Sequence, residues 1–293
     1  MKLVATGKVR ESYEDPSDPT RLILVASDRI SAFDHVFTQG VPGKGRLLTA
    51  ISAVVFQHLE GTFPTHFIGL ASGGRPEFAG RGLLVKRADM IPVECVVRGY
   101  LVGSAWDAYQ KHGTVHGVRV PDGLGFGAKL PQPIFTPTTK AHVGHDLPLD
   151  DGGLASLVGG GLASKLRARS IEIFEELSSW YSAKGLTIVD TKFEFGIVGG
   201  QLTLADEVGT PDSSRIVAGS AAAPDAWLDK QILRDWLVER GYRGDGPAPD
   251  LEVAILERLR TAYVEIYQAL SGAPFSAWPG SDELYLGKDD DAL

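Results

Sequence analysis

The sequence predicts a chain that mixes strands and helices in two parts, a strand-rich lobe over residues 1–91 and a larger mixed lobe over residues 92–293. Three observations carry this. Short apolar runs such as Arg21–Ala26 and Gly82–Arg87 are punctuated by Pro, Gly and Asp in the first part. Long stretches with apolar residues three and four apart follow in the second, as at Leu162–Lys184. Between the later helices lies a hairpin, Leu186–Arg215, whose first strand alternates charged and apolar side chains.

The 293 residues leave room for a sizeable core, and 43% hydrophobic with 23% charged residues is the balance of a globular protein in water. Lys plus Arg number 29 against 37 Asp plus Glu, a net charge of −8. That sign argues against nucleic acid or a membrane surface as partner, while a local basic cluster still suits a small anion. Part of the acidity lies in Lys288–Asp291, expected as a solvated end. Cys95 is the only cysteine, so neither an intrachain disulfide nor a cysteine metal site is available, and its apolar setting, Val93–Val97, predicts a buried thiol. There is no signal-peptide apolar core at the N-terminus and no apolar run near the ~20 residues of a membrane helix, which together predict a cytoplasmic protein.

In chain order, Thr6–Tyr13 and Arg21–Ala26 read as strands around the turn Glu14–Thr20. The first carries Gly7-Lys8-Val9-Arg10, either a glycine turn with two cations over phosphates or an ordinary edge strand. Ser27–Asp34 is a polar loop anchored by Ile30 and Phe33, of the kind that often holds ligands. A second Gly/Lys/Arg turn, Pro42–Arg46, leads to a helix over Leu47–Leu59. His58 and His66 lack metal-ligand spacing and are read as surface or capping residues. The connector Ala88–Pro92, with Met90 and Ile91, suits an adenine ring or a simple hinge, and Val93–Tyr100 is a strand. Arg98 at its end and Ser104 at the start of a helix over Ala105–His112 form a phosphate cradle, or Ser104 only caps the helix.

Gly123–Asp151 is proline-rich and predicted irregular, a pattern common in functional segments. It holds Lys129, Lys140, His142, His145 and Asp146, and the two histidines have no third ligand nearby. Helices are predicted over Leu162–Lys184, Asp225–Arg240 and Asp250–Leu270, the last capped by Asp250. In the hairpin, Gly199-Gly200 makes the turn, and period two sets Asp190, Lys192 and Glu194 on one face. That face is either simply wet or a metal–phosphate site, in which Glu194 and Asp206 share Mg²⁺ and Lys192 holds a phosphate. With Lys8 and Arg10 opposing, the set suits direct phosphoryl transfer, and Arg98, Ser104 and Arg215 suit a second anion. No Ser/His/Asp triad and no nucleophilic cysteine stands out.

The motifs Gly7-Lys8-Val9-Arg10, Ser27–Asp34 (SDRISAFD), Pro92–Tyr100 (PVECVVRGY), Asp190–Gly196 (DTKFEFG) and Asp206-Glu207 with Pro211–Arg215 (PDSSR), in this order, resemble the phosphoribosylaminoimidazole-succinocarboxamide synthase (SAICAR synthetase) family. The resemblance runs from residue 7 to Asp229-Lys230-Gln231. It implies an α+β, two-lobed fold with an ATP-grasp or kinase-like nucleotide site. It also implies a ligase of purine biosynthesis that turns ATP, the carboxylated aminoimidazole ribonucleotide CAIR and L-aspartate into ADP, phosphate and SAICAR through an acyl phosphate, with Mg²⁺ required.

Carried over by position, the resemblance assigns Gly7, Lys8, Val9 and Arg10 to the phosphate loop, and Lys86, Met90, Glu94 and Lys140 to the nucleotide. Lys192, Asp190 and Asp146 are the implied catalytic residues, with Glu194 and Asp206 on the metal. Arg98, Ser104, Asp212, Ser213 and Arg215 would hold CAIR, with Asp34, Lys140 and Asp146 near the imidazole carboxylate or the aspartate. Asp190 is read either as a support for Lys192 or as a substrate contact. An aromatic residue followed by Trp is common in the family after Arg215, where this sequence has Ile216-Val217. The competing readings are another ATP-dependent carboxylate–amine ligase, a small-molecule kinase, and a nucleotide-binding regulatory protein. Monomer and homodimer are both compatible with the C-terminal helices.

Overall fold

The strands run, in chain order, β1 (Leu3–Thr6), β2 (Arg10–Glu14), β3 (Arg21–Ala26), β4 (Ser31–Ala32), β5 (His35–Val36), β6 (Phe67–Leu70), β7 (Gly82–Lys86), β8 (Asp89–Met90) and β9 (Val93–Tyr100). They continue with β10 (Thr114–Val115), β11 (Val118–Arg119), β12 (Lys129–Phe135), β13 (Thr138–Thr139), β14 (Leu186–Val198), β15 (Gln201–Ala205) and β16 (Ser214–Ala218). Helices are α1 (Lys44–Leu59), α2 (Gly103–His112), α3 (Asp151–Val158), α4 (Gly160–Ala183), α5 (Gln231–Glu239) and α6 (Val253–Ser271). The computed structural model describes residues 1–71, 75, 78–140, 146–223 and 226–281, so His142, His145 and the acidic run Lys288–Asp291 fall outside the described residues. Among these, no helix is long and apolar enough to cross a membrane.

Two units divide the chain. One takes Met1–Val54, Phe67–Arg87 and the residues from Lys230 on; the other takes Val55–His66 and Ala88–Asp229. The C-terminal helices thus group with the N-terminal strands, whereas the sequence division kept them in the lobe 92–293. Nothing local in a helical pattern records which distant surface its apolar face will cover.

In the first unit the sheet order is β1-β2-β3-β7-β6. β3 is the central strand, and the unbroken apolar run Ile23–Ala26 is buried on both faces, with Tyr13, Ile23, Val25 and Phe78 in one cluster. Helix α1 starts at Lys44, three residues before the apolar stripe predicted it. The cause is Asp28. Its Oδ2 accepts from Gly43 N at 3.0 Å and its Oδ1 from Gly45 N at 2.8 Å, while Arg81 Nη2 donates to Oδ2 at 3.2 Å. A carboxylate supplied from a distant loop therefore satisfies the amides at the start of the helix. Gly45 is obligatory there, since a Cβ would stand 2.3 Å from Ala26 O. Asp28 is thus a structural anchor within a loop read from sequence as ligand-binding. Asp28→Ala is expected to destabilise the protein by about 1–3 kcal/mol, seen as a lower midpoint in urea unfolding. An unchanged midpoint would show that water caps α1 equally well.

Two predicted helix starts move. Trp227 and Leu228 are tied to β16 by the Val217–Trp227 bridge and by Leu228 N donating to Ile216 O at 2.8 Å, so α5 begins at Gln231 and not at 225. Asp250 does not cap α6, where Glu252 takes the N-cap position without a side-chain bond. Asp250 accepts instead from Gln39 Nε2 at 3.0 Å.

The second unit is built on β14, thirteen residues long, in a sheet with the path β12-β9-β14-β15, to which β13 adds on β9 and β8 and β16 add on β14. Helix α4 packs on one face of β9, β12 and β14. Gly99 lets it approach, because a Cβ there would lie 2.8 Å from the Phe174 ring. Cys95 shares this face, bonded to Ser170 of α4, and burial pushes its thiol up to about 12, as fits a structural role. Phe193, opposite Cys95, belongs to the same layer. The segment predicted irregular contains β12, β13 and, at its end, the first residue of the unpredicted helix α3, whose N-cap Asp150 accepts from Gly153 N at 2.7 Å. Pro131 and Pro133 are accommodated because β12 is an edge strand and its register shifts between Lys129 and Ile134. Ile216 and Val217, where the sequence departs from the family pattern, are wholly buried in β16.

Candidate active site

Period two leaves the other face of β14 and β9 with Asp190, Lys192 and Glu194 beside Glu94 and Arg98. This face is charged without being wet: Asp190 is 6% exposed, Glu194 4% and Arg98 8%. Buried charge on this scale is tolerated only when paired, and the pairs fall into two groups along β14.

The first group centres on Asp190. The ladder sets it opposite Arg98 of β9 and opposite Arg215 of β16. Its Oδ2 lies 2.5 Å from Arg215 Nη1 and 3.4 Å from Arg98 Nη1, and Arg98 Nε donates to Thr136 Oγ1 at 2.9 Å. The Asp190 carboxylate holds the Arg215 guanidinium above its ordinary range, whereas burial lowers that of Arg98. Arg215 Nε is buried and finds no partner among the described residues. The first turn of α2 adjoins the same guanidinium, since a Cβ on Gly103 would come within 2.5 Å of Arg215 Nη2. Ser104, next along and exposed, is not the cap the sequence allowed: Val102 holds that position and makes no side-chain bond. Two arginines and an uncapped helix N-terminus therefore meet around one carboxylate, an arrangement suited to an anion such as a phosphate monoester.

The second group surrounds Glu194. Lys140 Nζ contacts Glu194 Oε2, and Lys192 Nζ lies 2.5 Å from Glu94 Oε1 and 3.6 Å from Glu194 Oε1. Burial lowers the affinity of Lys192 for its proton, but Glu194, Glu94 and Asp206 outweigh it, so the net shift is upward. Burial, then the like charge of Asp206, raises Glu194, and Lys192 and Lys140 oppose both. Asp206 follows Ala205, the ladder partner of Glu194, and takes a left-handed backbone, φ 60°. His66 Nε2 sits 3.1 Å from its carbonyl oxygen. His66, expected as a surface or capping residue, is buried and supports this carbonyl. Among the described residues no group of three or more His, Cys, Asp or Glu is arranged to hold a metal ion by itself. Two neighbouring carboxylates that raise each other's cost fit Mg²⁺, which takes one or two carboxylates and completes its shell with phosphate oxygens and water.

Other predicted residues are placed as follows. Met90 lies in β8, 46% exposed, opposite Gly196 of β14, and Ile91 N donates to Phe195 O at 2.9 Å. The Ser213 hydroxyl is engaged within the 210–214 turn, by Thr210 N at 3.2 Å and Ser214 Oγ at 3.4 Å, and Asp212 N donates to Thr210 Oγ1 at 3.3 Å. Both residues shape the turn that delivers Arg215. Asp146 is exposed and precedes Leu147, whose backbone pairs with Thr139. In the first unit Gly7, Lys8 and Val9 form the tight turn between β1 and β2, with Gly7 N donating to Arg10 O at 2.7 Å. Lys8 Nζ is 2.7 Å from Asp34 Oδ1, and Asp34 follows Phe33 in a hairpin where both have positive φ, 61° and 51°. Lys86 ends β7 opposite Arg21, while Arg10 faces Ala26, so Lys86 stands at the far end of that sheet, roughly 17 Å along β3 by its rise. Thr136 and His66 had no signal in sequence, being 38 and 140 residues from the groups they hold.

The SAICAR synthetase family model matches residues 3–249. A phosphoribosylaminoimidazole-succinocarboxamide synthase of Salinispora arenicola is 43% identical over 277 residues, 93% of this chain and 99% of that one. The SAICAR synthase of Saccharomyces cerevisiae, solved in complex with SAICAR, superposes with a TM-score of 0.82 at 37% identity, covering 94% of this chain and 96% of that one. A solved type-2 SAICAR synthetase in complex with ADP gives a TM-score of 0.70 at 27% identity, covering 93% and 99%.

Proposed function

The chain belongs to the SAICAR synthetase family, ATP-dependent ligases that join L-aspartate to CAIR in purine biosynthesis, and from that premise we propose how its charged groups divide the work. Arg98, Arg215, Ser104 and the N-terminus of α2 hold the 5′-phosphate of CAIR. The orphaned Arg215 Nε supports this, because a buried guanidinium nitrogen without a partner is costly unless a ligand completes it. Asp190, read from sequence as catalytic, keeps the two guanidinium groups aligned. Glu194 and Asp206 hold Mg²⁺, and Lys192 meets the transferred phosphoryl group. The ion, when bound, neutralises charge on the phosphate oxygens. Gly7–Arg10 lies on the ATP phosphates, and Lys86, Met90 and Glu94 lie toward the adenosine, as in ATP-grasp and kinase sites. Lys140, in contact with Glu194, and Asp146 are assigned to the imidazole carboxylate or the aspartate.

The chemistry then runs in two displacements. The CAIR carboxylate oxygen takes the γ-phosphoryl group, ADP leaves, and an acyl phosphate results. The aspartate amine attacks the acyl carbon, the C–O bond to phosphate breaks, and the proton lost by the amine leaves on the released phosphate. Lys192, whose hold on its proton the neighbouring carboxylates strengthen, acts in this reading as an electrostatic clamp and not as a base. One observation carries the assignment: β14 bears Asp190 of the anion group and Glu194 of the metal group on one face, about 13 Å apart by strand rise, the scale of a ribonucleotide.

Small-molecule substrates alone, a cytoplasmic location, and a monomer or homodimer belong to the same proposal. The net charge of −8 and the single buried cysteine support it. A coupled ADP-release assay tests the reading. Turnover is expected only with CAIR and aspartate together. ADP release with CAIR at the same rate whether or not aspartate is present would make the chain a kinase.

A further inference from the structure

The turn Gly7-Lys8-Val9 is held from one side by a neighbouring loop. Arg29 Nε donates to Lys8 O at 3.0 Å and its Nη2 to Gly7 O at 3.4 Å. Val9 O receives both Ser27 N and Ser27 Oγ, each at 3.0 Å. All three carbonyls of the turn are thus drawn toward residues 27–29. In a trans peptide the N–H points opposite to the C=O of the same plane, and no cis bond occurs among the described residues. Fixing Gly7 O and Lys8 O therefore turns the N–H groups of Lys8 and Val9 the other way, away from Arg29. Two successive amides presented on one side of a glycine turn, with the Lys8 side chain beside them, form a concave anion site.

Arg29 is itself held. Its Nη1 lies 3.6 Å from Glu11 Oε1, and Tyr13 Oη donates to Glu11 Oε2 at 2.6 Å. Glu11 is mostly covered, with 12% of its side chain exposed, and Arg29 has 29%. Three nitrogens of one planar guanidinium are therefore committed to three acceptors, two on the turn and one on β2. A lysine cannot reproduce that fork.

We propose that Arg29 is a positioning residue for nucleotide binding: it does not touch the phosphates, but orients the backbone donors of the 7–9 turn toward them. The inference rests on the reading of Gly7–Arg10 as the phosphate loop, and the test separates the two.

Isothermal titration of the full chain with ATP and Mg²⁺ is measured for Arg29→Lys, Arg29→Ala, Glu11→Gln and Lys8→Ala, alongside KM for ATP and for CAIR and the unfolding midpoint. Arg29→Lys is expected to weaken ATP binding about tenfold, nearly as much as Arg29→Ala, because a preserved charge without the fork does not hold two carbonyls. KM for ATP rises with it, while KM for CAIR stays within about twofold. Glu11→Gln, which loosens Arg29 from the side, gives a smaller loss of the same kind. If Arg29→Lys binds ATP as the parent does while Arg29→Ala does not, the charge acts directly and the positioning role is overturned. If both bind normally and Lys8→Ala does not, the turn holds phosphate without help from Arg29. If Lys8→Ala also binds normally, the phosphate-loop reading itself fails. A loss confined to the unfolding midpoint, with both KM values unchanged, reduces Arg29 to a stabilising contact. Where Arg29→Ala does not fold, Arg29→Lys against the parent decides.

Discussion

Arg215→Ala is expected to lower kcat/KM for CAIR by roughly 100- to 1000-fold, with KM for ATP nearly unchanged. The size follows from removing one partner of a buried, hydrogen-bonded charge pair, which costs about 3–5 kcal/mol. Two losses combine. The anion loses the guanidinium whose Nε awaits it, and Asp190 keeps only the longer contact, 3.4 Å, to Arg98. Asp190 then draws Arg98 toward itself and away from the ligand. Arg215→Lys separates charge from shape: it restores a cation beside Asp190 but not the planar fork, so stability recovers further than catalysis. Steady-state kinetics with CAIR varied at saturating ATP and aspartate check this. A variant whose kcat/KM for CAIR stays within threefold of the parent would remove Arg215 from the substrate site.

Asp206→Asn is expected to reduce kcat/KM by roughly 100-fold at a fixed Mg²⁺ concentration, several kcal/mol of transition-state stabilisation, with partial recovery as Mg²⁺ is raised. Asparagine is the informative choice because it tolerates the left-handed backbone that Asp206 occupies, so the change is one of charge alone. Alanine would add backbone strain to the result. The bond from His66 goes to the Asp206 carbonyl and survives. In the metal-free protein two effects oppose each other: neutralising Asp206 relieves its repulsion of Glu194 but also removes its attraction for Lys192, so the unfolding midpoint without Mg²⁺ is expected to move far less than the activity. An unaltered Mg²⁺ dependence would place the ion elsewhere.

Much of this site was legible because the hairpin writes its geometry in period two: Asp190, Lys192 and Glu194 must share a face whichever register the neighbours take. The meaning of that face was not legible. A solvated edge and a buried ion network have the same alternation, and only the strands on either side, β9 and β16, decide between them. Asp190 shows the limit well. Its sequence neighbours suggested a partner for Lys192, but the ladder delivers it to Arg98 and Arg215, 92 and 25 residues away. Asp28 shows a related limit, since nothing local marks a carboxylate in a polar loop as the partner of amides at the start of a helix further along the chain. Helix α3 escaped notice because Gly152, Gly153 and the triplet Gly159–Gly161 weaken the intrinsic helical signal that packing against α4 supplies.

The first unit is assembled from three separate lengths of chain, whereas the second needs nothing beyond Asp229. On the ribosome these two follow different timetables. The β14 sheet, with both of its charged groups, has all its strands once Asp229 has left the exit tunnel. The unit of the N-terminal strands, though begun first, is complete only once α5 and α6 have been made.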